Sequence, residues 1–313
     1  MNKIKINNHL IEISKEDKIL YSNNLDNSED ITKAQILEYY KSISKLMLPQ
    51  LKNRPLMMRR YPNGINGKFF YQKNISSYFP HWIKRAKILL KTQSNKYNEY
   101  VVCQNEATLI YLSNQAVLEY HIWLSKIDKI NYPDKLIFDL DPSTLDFEPL
   151  RKCALMLKEL LENLDLVPFL MTTGSHGLHV VVPIKQINKP NKLIDFATLK
   201  KLADRCAEQI VIKEPELFTL KIRKKSREKK LFIDTLRNQY GATSIAPYST
   251  RAKPNCPIAT PLNWQEIYQK DLHSQKYNIK NIINRIKSIE DPWSSFFKSA
   301  KNININQALS KIK

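Results

Sequence analysis

Glycine is scarce in this chain, with 5 in 313 residues, and cysteine is scarcer still. The 4 cysteines, Cys103, Cys153, Cys206 and Cys256, form no CxxC pair, which argues against a zinc site or a disulfide framework and for reduced thiols. So little glycine beside 16 prolines also argues against a flexible low-complexity chain. Acidic residues are in deficit as well: 30 Asp+Glu face 50 Lys+Arg, for a formal net charge of +20. No apolar run approaches the roughly 18 residues of a membrane span, and the N-terminus MNKIKINNHLIEIS lacks the unbroken apolar core of a secretory signal. The expectation is a soluble cytoplasmic protein with no membrane partner.

What is present suits a packed protein. Hydrophobic residues make up 42% and aromatics 10%, and the length fits two modules. The positive surplus attracts polyanions and makes nucleic acid the leading partner class. Along the chain, Asn2 to Ser14 reads as a strand or ribbon, and Ile31 to Leu48 as a helix that Thr32 can cap. LKNRPLMMRRYPNG and GKFFYQKN read as strands about a turn at Asn63-Gly64. YVVCQ and TLIYL read as further strands, and Gln115 to Trp123 as a helix. A module boundary is expected in the polar stretch Lys126 to Lys135, giving an N-terminal module over 1–130, a catalytic module over 131–300 and a tail over 301–313.

The second module is the more legible. LIFDLD alternates like a strand, and Leu150, Ala154, Leu157, Leu161 and Leu164 line one helical face. VPFLMTT and LHVVVP flank Gly174-Ser175-His176-Gly177, a helix spans Asp195 to Val211, and LFIDTL closes the set. The order β-α-β-β-α-β is that of a ferredoxin-like or RNA-recognition-motif sheet, with both helices on one face and the other free for a site.

In LIFDLD, period-two alternation sets Leu136, Phe138 and Leu140 against Ile137, Asp139 and Asp141. The two carboxylates thus share a face, their Cα atoms about 6.5 to 7 Å apart, within reach of a metal pair of the phosphoryl-transfer type. Asp234 in LFIDTL points to the same free face. The bland reading is a strand end capped by Asp141; the three carboxylates and the glycine hairpin together favour the metal site. In that hairpin, Thr173, Ser175, His176 and backbone N–H groups can cradle phosphate, with His179 starting the next strand. The run KIRKKSREKK, Lys221 to Lys230, is either a phosphate-gripping loop or a solvated linker. Arg237 and Arg251 suit bidentate phosphate contact. Arg59, Arg60, Phe69, Phe70, Tyr71 and Lys73 interleave cations with aromatics, either to stack bases or to fill a core.

These blocks resemble the polymerase domain of bacterial end-joining DNA ligase D, a branch of the archaeo-eukaryotic primase superfamily. The resemblance runs from KEDKILYS through ITKAQILEYY, LPQLKNRPLMMRRYPNG, FFYQK and LEYH, past DLDP and GSHGLHVVVP, to IDTLRN, APYSTRAKP, TPLNW and DPW. It implies an α+β primase-type fold, with an N-terminal α/β module packed on the ferredoxin-like catalytic module. It also implies a template-directed nucleotidyltransferase that adds NTPs or dNTPs to a 3′-OH at gaps or double-strand breaks. On that resemblance Asp139, Asp141 and Asp234 hold two Mn2+ or Mg2+ ions, and Ser175 and His179 fall in a nucleotide-binding motif. Arg251 falls where the family contacts triphosphate, and His121 near the incoming sugar. Lys18 and Lys33 fall near lysines that recognise a 5′-phosphate, and Phe69 and Phe70 beside the template.

There are two departures from the pattern. His176 stands where the family usually has lysine, exchanging a permanent cation for a titratable one. No KxDG nucleotidyl-acceptor motif is present, so a stand-alone polymerase is expected, with a separate DNA ligase and a Ku-type protein as partners at the nucleoid. The rival expectations are a de novo primase of a mobile element and a non-catalytic DNA end-binding module.

Overall fold

The computed structural model describes residues 2–6, 8–22, 29–90, 96–187, 189 and 192–312. Two compact units share the chain and interleave along it. The first takes Met1–Trp123, Thr243–Ala259 and Tyr277–Ser288, and the second takes Leu124–Ala242, Thr260–Lys276 and Ile289–Lys313. This division is not linear. The first change of unit falls a few residues before the polar stretch read as the boundary, and two later segments return to the first unit.

The first unit opens with an antiparallel hairpin, β1 (Asn2–Ile6) and β2 (His9–Ile13), in the segment expected to be a ribbon; Asn7 of that segment lies outside the described residues. A short pair follows, β3 (Ile19–Tyr21) and β4 (Ile31–Thr32), and then helix α1 (Lys33–Leu51). Thr32 caps α1 through a reciprocal box: its hydroxyl accepts from the Gln35 N–H, and the Gln35 side chain accepts from the Thr32 N–H at 2.8 Å. Ile36, Tyr40, Ile43, Met47 and Leu51 repeat at helical spacing and are buried on one face. Next come β5 (Leu56–Arg60), β6 (Phe70–Gln72), the hairpin β7 (Arg85–Leu89) with β8 (Tyr97–Val101), helix α2 (Glu106–Asn114) and β9 (Val117–Trp123).

The stretch from Glu106 to Trp123 inverts the sequence expectation. TLIYL belongs to α2, and Gln115 to Trp123 holds a strand in place of a helix. Asn105 makes the difference by accepting from the Thr108 N–H at 2.9 Å, which starts a helix ahead of the apolar run. Ala116, at φ +57, then reverses the chain. In β9, Leu118, Tyr120 and Ile122 alternate with Glu119 and His121. Returning from later in the chain, β15 (Thr243–Ile245) completes a sheet ordered β15-β9-β5-β6, and α5 (Ile282–Ser288) ends the unit.

In the second unit β10 (Lys135–Asp141), α3 (Glu148–Asn163), β11 (Phe169–Thr172), β12 (Leu178–Pro183), α4 (Phe196–Lys213), β13 (Phe218–Thr219) and β14 (Leu231–Asp234) follow in turn. β16 (Pro261–Leu262) joins one edge, giving the order β13-β14-β10-β12-β11-β16. Leu136, Phe138 and Leu140 of β10 are wholly buried, and both α3 and α4 pack on β10 and on each other. The expected tail carries α6 (Ile305–Lys311), which packs against α4. All four cysteines are unpaired and buried, and burial pushes the Cys206 thiol up to about 12, out of reactive range. Among the described residues, no helix is long and apolar enough to cross a membrane.

One glycine fixes how the β11–β12 hairpin meets β10. A Cβ on Gly177 would stand 1.9 Å from the Leu140 carbonyl oxygen, so only glycine allows the hairpin backbone to lie against the strand that carries Asp139 and Asp141. Gly177→Ala is expected to cost at least about 2 kcal/mol, read as a lowered urea midpoint, because the clash is with backbone that cannot rotate away. Thr32→Ala, which removes one half of the capping box, is expected to cost about 1 kcal/mol by the same measurement.

Candidate active site

The central strand of the second unit positions the aspartates. Asp139 lies directly opposite Asp234 of β14 on one side and His179 of β12 on the other, and Asp141 follows two residues on, on the same face. The His179 imidazole is buried, with Nε2 3.4 Å from an Asp139 oxygen. Arg237, three residues after Asp234, brings Nε to 3.1 Å from Asp139 and 4.0 Å from Asp234. Burial alone would raise the Asp139 carboxyl, but His179 and Arg237 outweigh it and hold the group well below the usual carboxylate range. Asp234 moves the other way. Burial, with added repulsion from Asp139 and Asp141, raises it against the opposing Leu236 N–H bond of 2.7 Å.

Asp141 is held from the basic run. Within Lys221 to Lys230, Arg227 is buried and turns inward, its Nη1 2.7 Å from Asp141 while Nη2 donates to the Ile222 carbonyl at 2.9 Å. Its guanidinium also lies over the Phe232 ring, 4.3 Å from the centroid. The remainder of the run stays largely exposed, and Lys221 pairs with Glu228. This segment is therefore neither a plain solvated linker nor a free phosphate grip: one arginine of it is committed to an aspartate.

The glycine hairpin lies in the same unit. Gly174 takes φ +64, and the Thr173 hydroxyl fills the turn, accepting from Ser175 N–H at 3.3 Å and Gly177 N–H at 3.2 Å. Two amides read from sequence as a phosphate cradle are thus satisfied inside the loop, and buried Thr173 shapes it. Ser175 is half-buried and His176 exposed, while Gln275 clamps the loop by donating to the Ser175 carbonyl at 2.7 Å. A pocket of about 890 Å³ is lined by Asp141, Ser175, His176, Lys224, His273 and Ser274, among others.

The remaining expected residues lie in the first unit. Arg59 and Glu119 are register partners on β5 and β9, and His121 is the next residue on the same face of β9. Glu119 Oε2 is 3.1 Å from His121 Nε2; Oε1 is 3.3 Å from Arg59 Nη1, 3.4 Å from Arg251 Nε and 3.0 Å from the Ala252 N–H. Burial raises the Glu119 carboxyl, but these partners prevail and hold it far below the ordinary range. The Arg59 guanidinium stacks over Phe69 at 4.0 Å, flanked by Tyr61 and Tyr71. Phe69, Phe70, Tyr71 and Lys73 are exposed, which favours a surface platform over core filling. Arg60 is different. It is buried and donates to Gln72 and Tyr78 at 2.8 Å each, so it braces the sheet. Lys33 is also buried, donating to the Ser14 carbonyl and the Asn114 side chain, whereas Lys18 reaches Asn63 at 3.1 Å. Burial, Lys18 and Lys15 lower the Lys33 ammonium.

Sequence reasoning missed Glu119 and the inward turn of Arg227. A lone acid amid the apolar alternation of VLEYHIW is a signal for the former once the segment is a strand. Nothing local marks the latter, whose partner is 86 residues away.

Comparison with known proteins converges on one family. The model of the LigD primase-polymerase domain matches residues 32–293. The Bacillus subtilis bifunctional non-homologous end joining protein LigD is 30% identical over 304 residues, 97% of this chain and 47% of that protein. The Mycolicibacterium smegmatis multifunctional non-homologous end joining protein LigD is 30% identical over 284 residues, 90% of this chain and 35% of that protein. The chain thus spans half or less of these relatives. Among solved structures, the polymerase domain from Mycobacterium tuberculosis ligase D in complex with DNA aligns at a TM-score of 0.82 and 26% identity, covering 93% of this chain and 99% of that one. With a mixed helix-and-sheet fold of the archaeo-eukaryotic primase type and a family match over most of its length, the chain belongs to the LigD primase-polymerase domain family.

Proposed function

We propose that this chain is a metal-dependent nucleotidyltransferase that extends a 3′-OH on a template, at gaps or broken DNA ends, in non-homologous end joining. The observation that carries the reading is the register of β10, which sets Asp139 opposite Asp234 and His179 with Asp141 beside it. The end-joining names of the relatives and the DNA-bound state of the structural neighbour support the substrate class.

The residues fit divalent metal chemically. Three carboxylates on adjacent strands supply the hard oxygen donors that Mn2+ and Mg2+ take; the Asp234 carboxyl is raised by burial first and then by repulsion from Asp139 and Asp141, which a cation would relieve. Among the described residues, no group of three or more His, Cys, Asp or Glu side chains is already arranged as a metal cage. Arg237 and Arg227 engage Asp139 and Asp141 instead. In this reading Asp139, Asp141 and Asp234 hold two ions, which supply Lewis acidity, lowering the pKa of the attacking hydroxyl and screening the phosphates. Asp234, opposite Asp139 on the neighbouring strand, is suited to receive the proton of the 3′-OH.

Ser175, His176 and His179 serve the nucleotide's phosphates, and in the first unit His121 and Arg251 serve its sugar and triphosphate. Arg59, Phe69, Phe70 and Lys73 track the template, and Lys18 and Lys33 meet a 5′-phosphate. A negative charge beside Lys33 would offset what burial and its lysine neighbours impose on it. NTPs or dNTPs are the substrates, and a Ku-type protein and a DNA ligase activity are the partners that joining requires.

The test is Mn2+-dependent addition of NTP to a 5′-phosphorylated gapped duplex. Wild type is expected to incorporate, and Asp139→Ala with Asp141→Ala, or EDTA, to reduce the rate by at least about a hundredfold. Equal incorporation by wild type and the double variant would sink the assignment. A primer-free template distinguishes de novo priming and is expected to yield no product. Replacing His176 by lysine restores a permanent cation and is expected to lower KM for NTP roughly threefold or more at about pH 8, measured on the same gapped duplex.

A further inference from the structure

Four donors from three segments of the first unit meet one buried carboxylate. Glu119 is only 2% exposed at its side chain, whereas Arg59, His121 and Arg251 around it are 21%, 16% and 15% exposed. The carboxylate lies beneath its partners, and the partners reach the surface. Glu119 is therefore shielded from substrate and can act on it only through the groups it holds.

Stability alone is a poor reason for such a cluster. Burying a carboxylate under cations costs desolvation that the attraction repays only with good geometry, and apolar side chains of similar volume often serve a core equally well. What the arrangement does provide is fixed direction. Glu119 and His121 are two residues apart on β9, Arg59 is the direct cross-strand partner of Glu119, and Arg251 is carried on the segment whose next residue, Ala252, donates its N–H to the same carboxylate. Arg59 is oriented at its other end by the face of Phe69, at the start of the exposed aromatic row. Two groups given to the nucleotide and one given to the template thus share a single anchor.

We infer that Glu119 is a positioning residue that locks Arg59, His121 and Arg251 into one array, so that template-side and nucleotide-side contacts are set together. The inference rests on the polymerase reading above. With Glu119 replaced by glutamine, two guanidinium groups lose the carboxylate they share and must reorganise: Arg59 loses a charge-assisted bond and Arg251 an ion pair. Binding of nucleotide should suffer more than turnover of what is bound.

The experiment uses the full chain, Mn2+ and ATP on a 5′-phosphorylated gapped duplex. Glu119→Gln is expected to raise KM for ATP on the order of tenfold with kcat within about threefold, and to lower the preference for the template-matched nucleotide. Glu119→Asp, which keeps the charge, is expected to fall between wild type and Gln. A purely structural role would instead lower the melting temperature and the active fraction, seen in kcat, and leave KM and nucleotide preference alone; that result overturns the inference. Should neither variant fold, a double-mutant cycle in protein that keeps Glu119 decides. Arg59→Ala and Arg251→Ala are expected to depart from multiplicative effects on KM by more than about threefold, and multiplicative behaviour overturns the inference. Wild type that incorporates nothing refutes the polymerase reading instead.

Discussion

The register of β10 against its two neighbours is the constraint on which the second unit depends. Because side chains on a strand alternate, the residues that bury Leu136, Phe138 and Leu140 under the helices also turn Asp139 and Asp141 to the other face. A slip of one residue would send both carboxylates into the core and three large apolar groups out of it. Core packing and site geometry are thus one condition. The contact of Gly177 with the Leu140 carbonyl ties the hairpin to that same strand, so the loop and the aspartates are set by a single backbone position.

Both units solve a similar electrostatic problem on a central strand. Asp139 and Glu119 are carboxylates that burial alone would push toward the neutral form, and in each case a histidine and arginine bring the charge back. The settings differ in where the acid stands relative to its partners. Glu119 lies under side chains more exposed than itself, whereas Asp139 shares its face with Asp234, which has no comparable compensation and is raised. The first arrangement suits a fixed anchor. The second leaves the acids of the set unequal in how firmly each holds its charge.

Much of this is legible in the sequence because it rests on short-range periodicity. LIFDLD, LHVVVP and LFIDTL each announce a strand with a defined polar face, and the helix after DLDP shows its apolar stripe plainly. Reading failed where local signals compete. TLIYL is β-branched and aromatic, yet an Asn cap and the apolar face beneath it make a helix, and the alternation of VLEYHIW identifies a strand only once there is a sheet for it to lie in. With that strand misread, Glu119 had no visible partners. The roles of Thr173, Arg60 and Arg227 were hidden for another reason: each is decided by an acceptor or donor that only folding brings close. An arginine in a basic run looks the same whether it faces water or an aspartate.

The interleaving of the two units has a consequence for how such a chain can be inherited. Each unit is completed by short segments drawn from beyond the other, so no single crossover point separates them, and neither can be exchanged with a homologue as a contiguous cassette. Recombination must carry the whole stretch or break both cores. A chain threaded in this way is inherited as one block, and the region it matches is contained within relatives more than twice its length.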